Sequence, residues 1–334
     1  MAEAAFRVLQ LGKESTFNTA VDATTIFPCD PGSGEFTLNR ATAVPDEDWG
    51  RAVRNHSGRG SHGARVATAS LSAPARFQDL GHLLTMALGT AVTTGAGTYV
   101  HVWDEDTTAD TVKSYTFRTA DGVQPFVTTG VVATGFQLGY DAIGPGDNQM
   151  WQASVDLQGA DHTAGTATTG LSDPSALETM EGHLTTISMG PVGTAFASLG
   201  AIGTALVSYQ LDYSCEKPLR IYGGSSEVAG GVGKRKGLGT VTILLKVADY
   251  TINESWDIFA VAGGAPTERR VRVTCAGSGD NKLTIDHRLL FTDVHIEPDG
   301  REGERLISIT AETVYDATLA SDIAITVTNA IASY

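Results

Sequence analysis

The residues of this chain that could do chemistry are a glycine motif, a basic glycine-rich loop, an acidic run and eight histidines. Gly58-Arg59-Gly60-Ser61-His62-Gly63 has the G-x-G-x-x-G spacing whose backbone amides can cradle a pyrophosphate. That use needs a buried strand before the motif and a helix after it. Arg54-Asn55-His56-Ser57 is no buried strand and Ala64 begins extended structure, so the match reads as coincidence. Gly233-Lys234-Arg235 lacks the hydroxyl residue that a P-loop places on Mg²⁺ after its lysine, and the upstream glycine. Asp104-Glu105-Asp106 with Asp110 opens like a calcium loop, but Ala109 replaces the turn glycine and Tyr115 the closing glutamate. It reads as an exposed acidic turn. The histidines, among them His56, His62, His101, His287 and His295, form no H-E-x-x-H cluster, and no G-x-S-x-G nucleophile turn exists. The expectation is a protein that is not an enzyme and takes no cofactor and no metal.

Charge is more informative. Trp49–Gln78 carries Arg51, Arg54, Arg59, Arg65 and Arg76 with no acid. One reading is a solvated loop. The sharper one is an assembly arm that docks on an acidic neighbour such as Asp104, Asp106 and Asp110, since the guanidinium fork engages carboxylates bidentately. Lys234, Arg235 and Lys236 are the matching basic cluster later in the chain. Overall, 38 acids against 23 bases give a net charge of −15, which argues against gripping phosphates. The three cysteines, Cys29, Cys215 and Cys275, have neither metal-ligand spacing nor the even number of a disulfide framework. Met1–Ala5 lacks the basic and apolar regions of a signal peptide, so folding in a cytoplasm is expected. Leu184–Leu211 has no charge, yet it is rich in Gly, Ala, Ser and Thr, and reads as a loop feeding a strand instead of a membrane span.

Elements that could position these residues are mostly strands. Period-two alternation marks Val66–Leu71, Phe136–Tyr140, Trp151–Leu157, Tyr209–Tyr213, Val241–Leu245, Leu283–Ile285, Leu306–Ala311 and Ile323–Val327. Gly144-Pro145-Gly146-Asp147 turns a hairpin. Helical spacing occurs in 75–89, with Phe77, Leu80, Leu84 and Leu88 on one side and Gly89 as the stop, and in 254–262. The order strand, helix, strand and hairpin occurs twice, over 64–159 and 239–315, with low residue identity, which predicts an internal duplication. A Thr/Gly/Ala/Ser-rich linker at 159–182 would separate residues 1–165 from 166–334. The fold class is mainly β (α+β), as two tandem sandwich or open-barrel domains with one short helix each.

The opening Leu11-Gly12-Lys13-Glu14-Ser15-Thr16-Phe17-Asn18-Thr19-Ala20-Val21 resembles the start of siphophage major tail tube proteins, with Asn18 where that family often has glycine. In order along the chain, Leu83-Leu84 with Leu88-Gly89, Tyr99-Val100-His101, Ala153–Leu157, Asp299-Gly300 and Ile323–Ile325 are also similar to that family. The resemblance implies a tube whose inner wall is a β-barrel of strands donated by every subunit, the two domains of this chain each being tail-tube-like, and a virion protein made in the host bacterial cytoplasm. It would polymerise with itself as stacked rings, beside a tape measure protein, a tail terminator and tail-tip proteins. With two domains per chain, three chains would give a ring of pseudo-sixfold symmetry; a simple hexamer is the other arrangement. DNA would pass through without specific binding. The strand-borne acids Asp141, Asp156, Asp286 and Glu312 are candidates for a repelling lumen wall. Segments 1–30 and 45–64 would be flexible arms that delay stacking. Two rivals remain at this point: a β-rich binding or capsid-decoration module using Trp49, Trp103 or Trp151, and a tail terminator that stops at one ring.

Overall fold

The computed structural model describes residues 8–43, 61–104, 113–120, 124–141, 149–172, 174, 176–202, 206–215, 217–220, 228–233, 237–246, 268–297 and 306–334. The chain is mostly β. In order the strands are β1 (Val8–Lys13), β2 (Thr25–Ile26), β3 (Thr37–Ala43), β4 (Ser61–Pro74), β5 (Val92–Ala96), β6 (Thr98–Asp104), β7 (Tyr115–Ala120), β8 (Phe126–Asp141), β9 (Gln152–Gly159) and β10 (Asp161–Ala164). There follow β11 (Thr185–Pro191), β12 (Gly200–Ala201), β13 (Leu206–Ser214), β14 (Leu219–Arg220), β15 (Gly231–Val232), β16 (Leu238–Lys246), β17 (Glu268–Ala276), β18 (Lys282–Glu297), β19 (Leu306–Val314) and β20 (Ile323–Asn329). The predicted helix at 75–89 is α1 (Leu80–Ala87). It starts late because Arg76 still bridges Thr179 and its guanidinium holds the Pro28 carbonyl and Asp79, the residue before the helix. It stops where Gly89 turns to φ +120°. The predicted helix at 254–262 and the turn at 144–147 lie outside the described residues.

All the long strands pair antiparallel, and the pairing order repeats. In the first half it runs β1-β7-β8-β9-β4; in the second, β11-β17-β18-β19-β16. β8 and β18 are both 16 residues long. Each carries one extra residue against its hairpin partner, Thr134 in β8 and Thr292 in β18. Each of these threonines donates its hydroxyl to the carbonyl across the hairpin, Thr134 to Asp156 (3.2 Å) and Thr292 to Thr310 (3.0 Å). The halves are joined along two lines, β8 to β13 and β6 to β20.

One hydrophobic cluster joins both halves: Phe136 and Leu138 of β8, Tyr209 and Leu211 of β13 and Ile243 of β16 are buried together with Leu80, Leu83 and Leu84 of α1. Trp103 and Trp151 belong to it at 1% and 0% exposure. Their indole N–H groups donate to Thr85 and Thr185, as buried tryptophans require. Two of the three proposed aromatic platforms are thus core residues; Trp49 lies outside the described residues. His101 is also packed, between Thr93 Oγ1 and the Ile331 carbonyl.

Residues 8–30 are tied into the sheet, which corrects the expectation of a flexible arm there. β1 pairs with β7 along its whole length, with Leu9 and Leu11 at 4% and 1% exposure. The Gly12-Lys13-Glu14 run does the anchoring. A Cβ on Gly12 would stand 2.6 Å from the Asp22 carbonyl oxygen. Lys13 Nζ donates to the main-chain oxygen of Tyr334 at 2.6 Å. Glu14, 5% exposed, accepts four hydrogen bonds: from Thr116 Oγ1 and Gly130 N on one oxygen, and from Ser114 Oγ and Asn18 N on the other. Asn18 sits at φ +58°, a left-handed conformation that glycine and asparagine tolerate best, which accounts for the exchange of one for the other. Glu14→Gln keeps the shape but turns an NH₂ toward two of these donors. It is expected to cost about 2 kcal/mol, read as a lower urea midpoint at unchanged slope.

His287, on β18, is fully buried near Tyr209 (ring centroids 6.0 Å apart), and neither ring nitrogen has a hydrogen-bond partner. Burial lowers its pKa to about 3, and that of His82 to about 4. The unfolded chain protonates His287 near pH 6.5 and the native state only near 3, so native stability is lost as pH falls between those values. Buried Asp79, raised to about 6 by burial against the pull of Arg76, works in the opposite sense from pH 6 down to about 4. The net loss through the two histidines is expected to dominate. His287→Leu should leave stability at pH 7 equal or higher, and at pH 4.5 should recover about 3 kcal/mol relative to the parent, from 1.36 kcal/mol per pH unit. Thermal melts of the two proteins at pH 7 and 4.5 test this.

Candidate functional site

Eight strands lie side by side in the order β3-β4-β9-β8-β13-β16-β19-β18, counting the distal halves of β8 and β18. Alternation sends every second residue of this sheet into the core and leaves the others on one polar face. Its registered rows can be read across the strands. One row is Ser72, Ser154, Gln137, Asp212, Thr240 and Glu312; the next is Gln152, Gly139, Gln210, Thr242, Thr310 and Asp293. Asp156 stands beside the first row, opposite Ser70 and Gly135, and Asp141 beside the second, opposite Ser208.

Three of the four acids expected on a lumen wall, Asp141, Asp156 and Glu312, are therefore exposed on a single face. Asp212 and Asp293 join them there. Much of the rest is polar, with Ser154 bonded to Gln137 and Gln210 to Asp212, while Val66, Leu238 and Leu244 are apolar members of the same face. The described basic groups on it are Lys246 and His295, and His295 is bonded to Asp293 at 2.8 Å. A shallow groove lined by Gln137, Asp141, Gln152, Ser154, Ser208 and Gln210 crosses its middle. Asp286 is not with them. It lies on the proximal half of β18, 8% exposed, and gives both oxygens to the Arg272 guanidinium at 2.6 Å each.

The residues expected at contacts between copies are placed less fully. Arg65 is turned inward and meets Asp161 at 3.2 Å, and Asp104 ends β6 half-buried. Arg51, Arg54, Arg59, Lys234, Arg235, Lys236, Asp106 and Asp110 lie outside the described residues. Asp212 was legible, since it alternates with Leu211 and Tyr213. Asp293 was hidden by the Thr292 bulge, which switches the parity of β18.

Among the described residues no cluster of three or more His, Cys, Asp or Glu is placed to hold a metal, and no helix is long and apolar enough to cross a membrane. The sheet thus has one face in the core and one that is polar and rich in acids among the described residues. A search of curated proteins gave no match. A family model described as phage tail tube protein matches residues 7–312, so the chain belongs to the phage tail tube protein family, a structural component of the virion.

Proposed function

We propose that this chain polymerises as stacked rings into the tail tube of a siphophage, and that the acidic face of the eight-stranded sheet lines the channel through which DNA is delivered. The observation that carries the reading is the placement of Asp141, Asp156, Asp212, Asp293 and Glu312 on one face of the sheet. A duplex moving through a channel must not be held, and fixed acids repel phosphate while small polar side chains leave a smooth surface. The repeated pairing order and the paired threonine bulges support two tube-like domains from a duplication, residues 1–165 and 166–334 with a linker at about 159–182. Three chains would then form a ring with pseudo-sixfold symmetry.

In this reading the chain is made in the host cytoplasm and assembled with a tape measure protein, a terminator and tail-tip proteins. Arg51, Arg54, Arg59, Lys234, Arg235 and Lys236 would reach from one ring to acids such as Asp106 and Asp110 of a neighbour. Negative-stain electron microscopy of concentrated, aged protein tests the assembly. Hollow tubes are expected, with rotational averaging giving three chains per ring. Six chains would overturn the pseudo-sixfold arrangement, single rings that never stack would favour a terminator, and compact monomers at every concentration would overturn the tube.

A further inference from the structure

β20 ends at Asn329, and the residues after it make their contacts with the first half of the chain. Ala330, Ala332 and Ser333 are exposed, so this short strap buries little surface of its own. Groups from three parts of the first half hold it. On β6, Nε2 of His101 lies 2.8 Å from the Ile331 carbonyl oxygen. On β1, Lys13 Nζ donates to the Tyr334 main-chain oxygen. Just ahead of α1, the Phe77 carbonyl accepts from the Asn329 side-chain amide. The same carbonyl and that of Gln78 each lie 3.2 Å from the Tyr334 hydroxyl, whose oxygen accepts from the Asn329 amide as well.

The Tyr334 ring occupies a slot. Its centre lies 4.9 Å from that of His101 and 5.2 Å from that of His82, both edge to face, and 5.6 Å from that of Trp103. The floor is Gly81 in the first turn of α1, where a Cβ would stand 2.5 Å from three atoms of the ring. Alanine is the better helix former, so glycine here gives up helix stability and leaves room for the tyrosine. Phe77 is in turn a meeting point of distant segments. Its N–H donates to the Glu178 carbonyl at 3.1 Å, and its ring leaves no space for a side chain at residue 277, where a Cβ on Gly277 would stand 2.5 Å away.

We propose that Phe77–His82, with His101 and Trp103, form a recognition slot for a phenolic ring, and that Asn329–Tyr334 is a latch whose seating there orders α1. The chemistry of the slot defines the ligand class. Two carbonyls face the hydroxyl proton, an amide donates to the hydroxyl oxygen, and aromatic rings and a bare glycine accept the ring. Tyr334 lies beyond β20, so removing its side chain empties the slot without altering any strand. The latch belongs to the single chain and stands or falls apart from tube formation.

In the full chain, Tyr334→Ala should raise amide exchange of residues 84–87 in α1 by about a hundredfold, because losing a packed ring opens the element it covered. Amides of β6, β16 and β19, held by strand pairing, should exchange as in the parent. Millimolar p-cresol, the tyrosine side chain as a free molecule, should restore most of the protection in Tyr334→Ala. Toluene, which lacks the hydroxyl, should restore less, and the parent should respond to neither. Gly81→Ala should raise the same exchange with Tyr334 still present, against the helix propensity of alanine, because the added methyl displaces the ring. Failure of p-cresol to protect Tyr334→Ala would overturn the slot as a phenol site. A Gly81→Ala chain with α1 protected as well as in the parent, or better, would overturn the latch, as would exchange raised equally in every strand by Tyr334→Ala.

Discussion

Replacing Asp141, Asp156 and Glu312 together with lysine is expected to turn tubes that ignore duplex DNA into tubes that retain it. The three side chains are exposed on one face, so the variant should fold with a melting temperature within a few degrees of the parent. Six charges change per chain, from −15 to −9 by addition of six, and all six fall on the proposed wall. Each phosphate neutralised releases counterions, so retention should be strong near 50 mM salt and fall steeply by a few hundred millimolar. Co-pelleting of tubes with a short labelled duplex measures it. The same reversal at Asp22, Glu181 and Asp280, exposed acids off this face, supplies the control. Equal retention by the two variants would mean that DNA meets the outside, and would remove the lumen assignment.

The largest stability effect is expected at Asp316. Its carboxylate is fully buried and accepts Arg270 Nε and Nη2 at 2.7 Å each, together with the backbone N–H of Thr318. Arg270, 6% exposed, also donates to the Thr194 carbonyl and to Thr318 Oγ1, and lies 5.0 Å from the Phe196 ring centre. Truncation by Asp316→Ala would leave a guanidinium in the interior with no counter-charge, at a cost of about 3–5 kcal/mol and a fall of about 10 °C in Tm. Asp286→Ala removes a similar pair, but Arg272 is 29% exposed and water can solvate it, so about 1 kcal/mol is expected there. Calorimetry on the two variants ranks them. Equal losses would mean that burial does not set the strength of these pairs. Replacing Arg270 and Asp316 together by apolar residues should recover much of the loss.

Much of the sheet was legible because its strands face water on one side. β8, β9, β13, β16 and β19 alternate so regularly that both their existence and their polar residues could be read directly, and Asp141, Asp156 and Glu312 followed from it. β1 escaped for the opposite reason: Leu9, Gln10 and Leu11 are all buried, so no alternation exists to detect. β11, within the charge-free Leu184–Leu211 stretch, is short and ends at Pro191, and its pairing to β17 is visible only in three dimensions. Asp286 stands among the lumen candidates on sequence alone because its partner Arg272 comes from the facing strand, a register no local pattern encodes. Glu14 could be recognised as part of a motif without its purpose, since its donors come from residues 18, 114, 116 and 130.

Because β8 and β13 belong to one polypeptide, their junction forms at an effective concentration set by the connecting chain and not by the amount of protein present. Dilution cannot open it. In any ring built from alternating internal and external junctions, half the circumference is therefore indifferent to concentration, and only the other half responds to mass action. Such a ring needs fewer collisions to complete than one assembled from separate single repeats, and its critical concentration reports on the external junction alone.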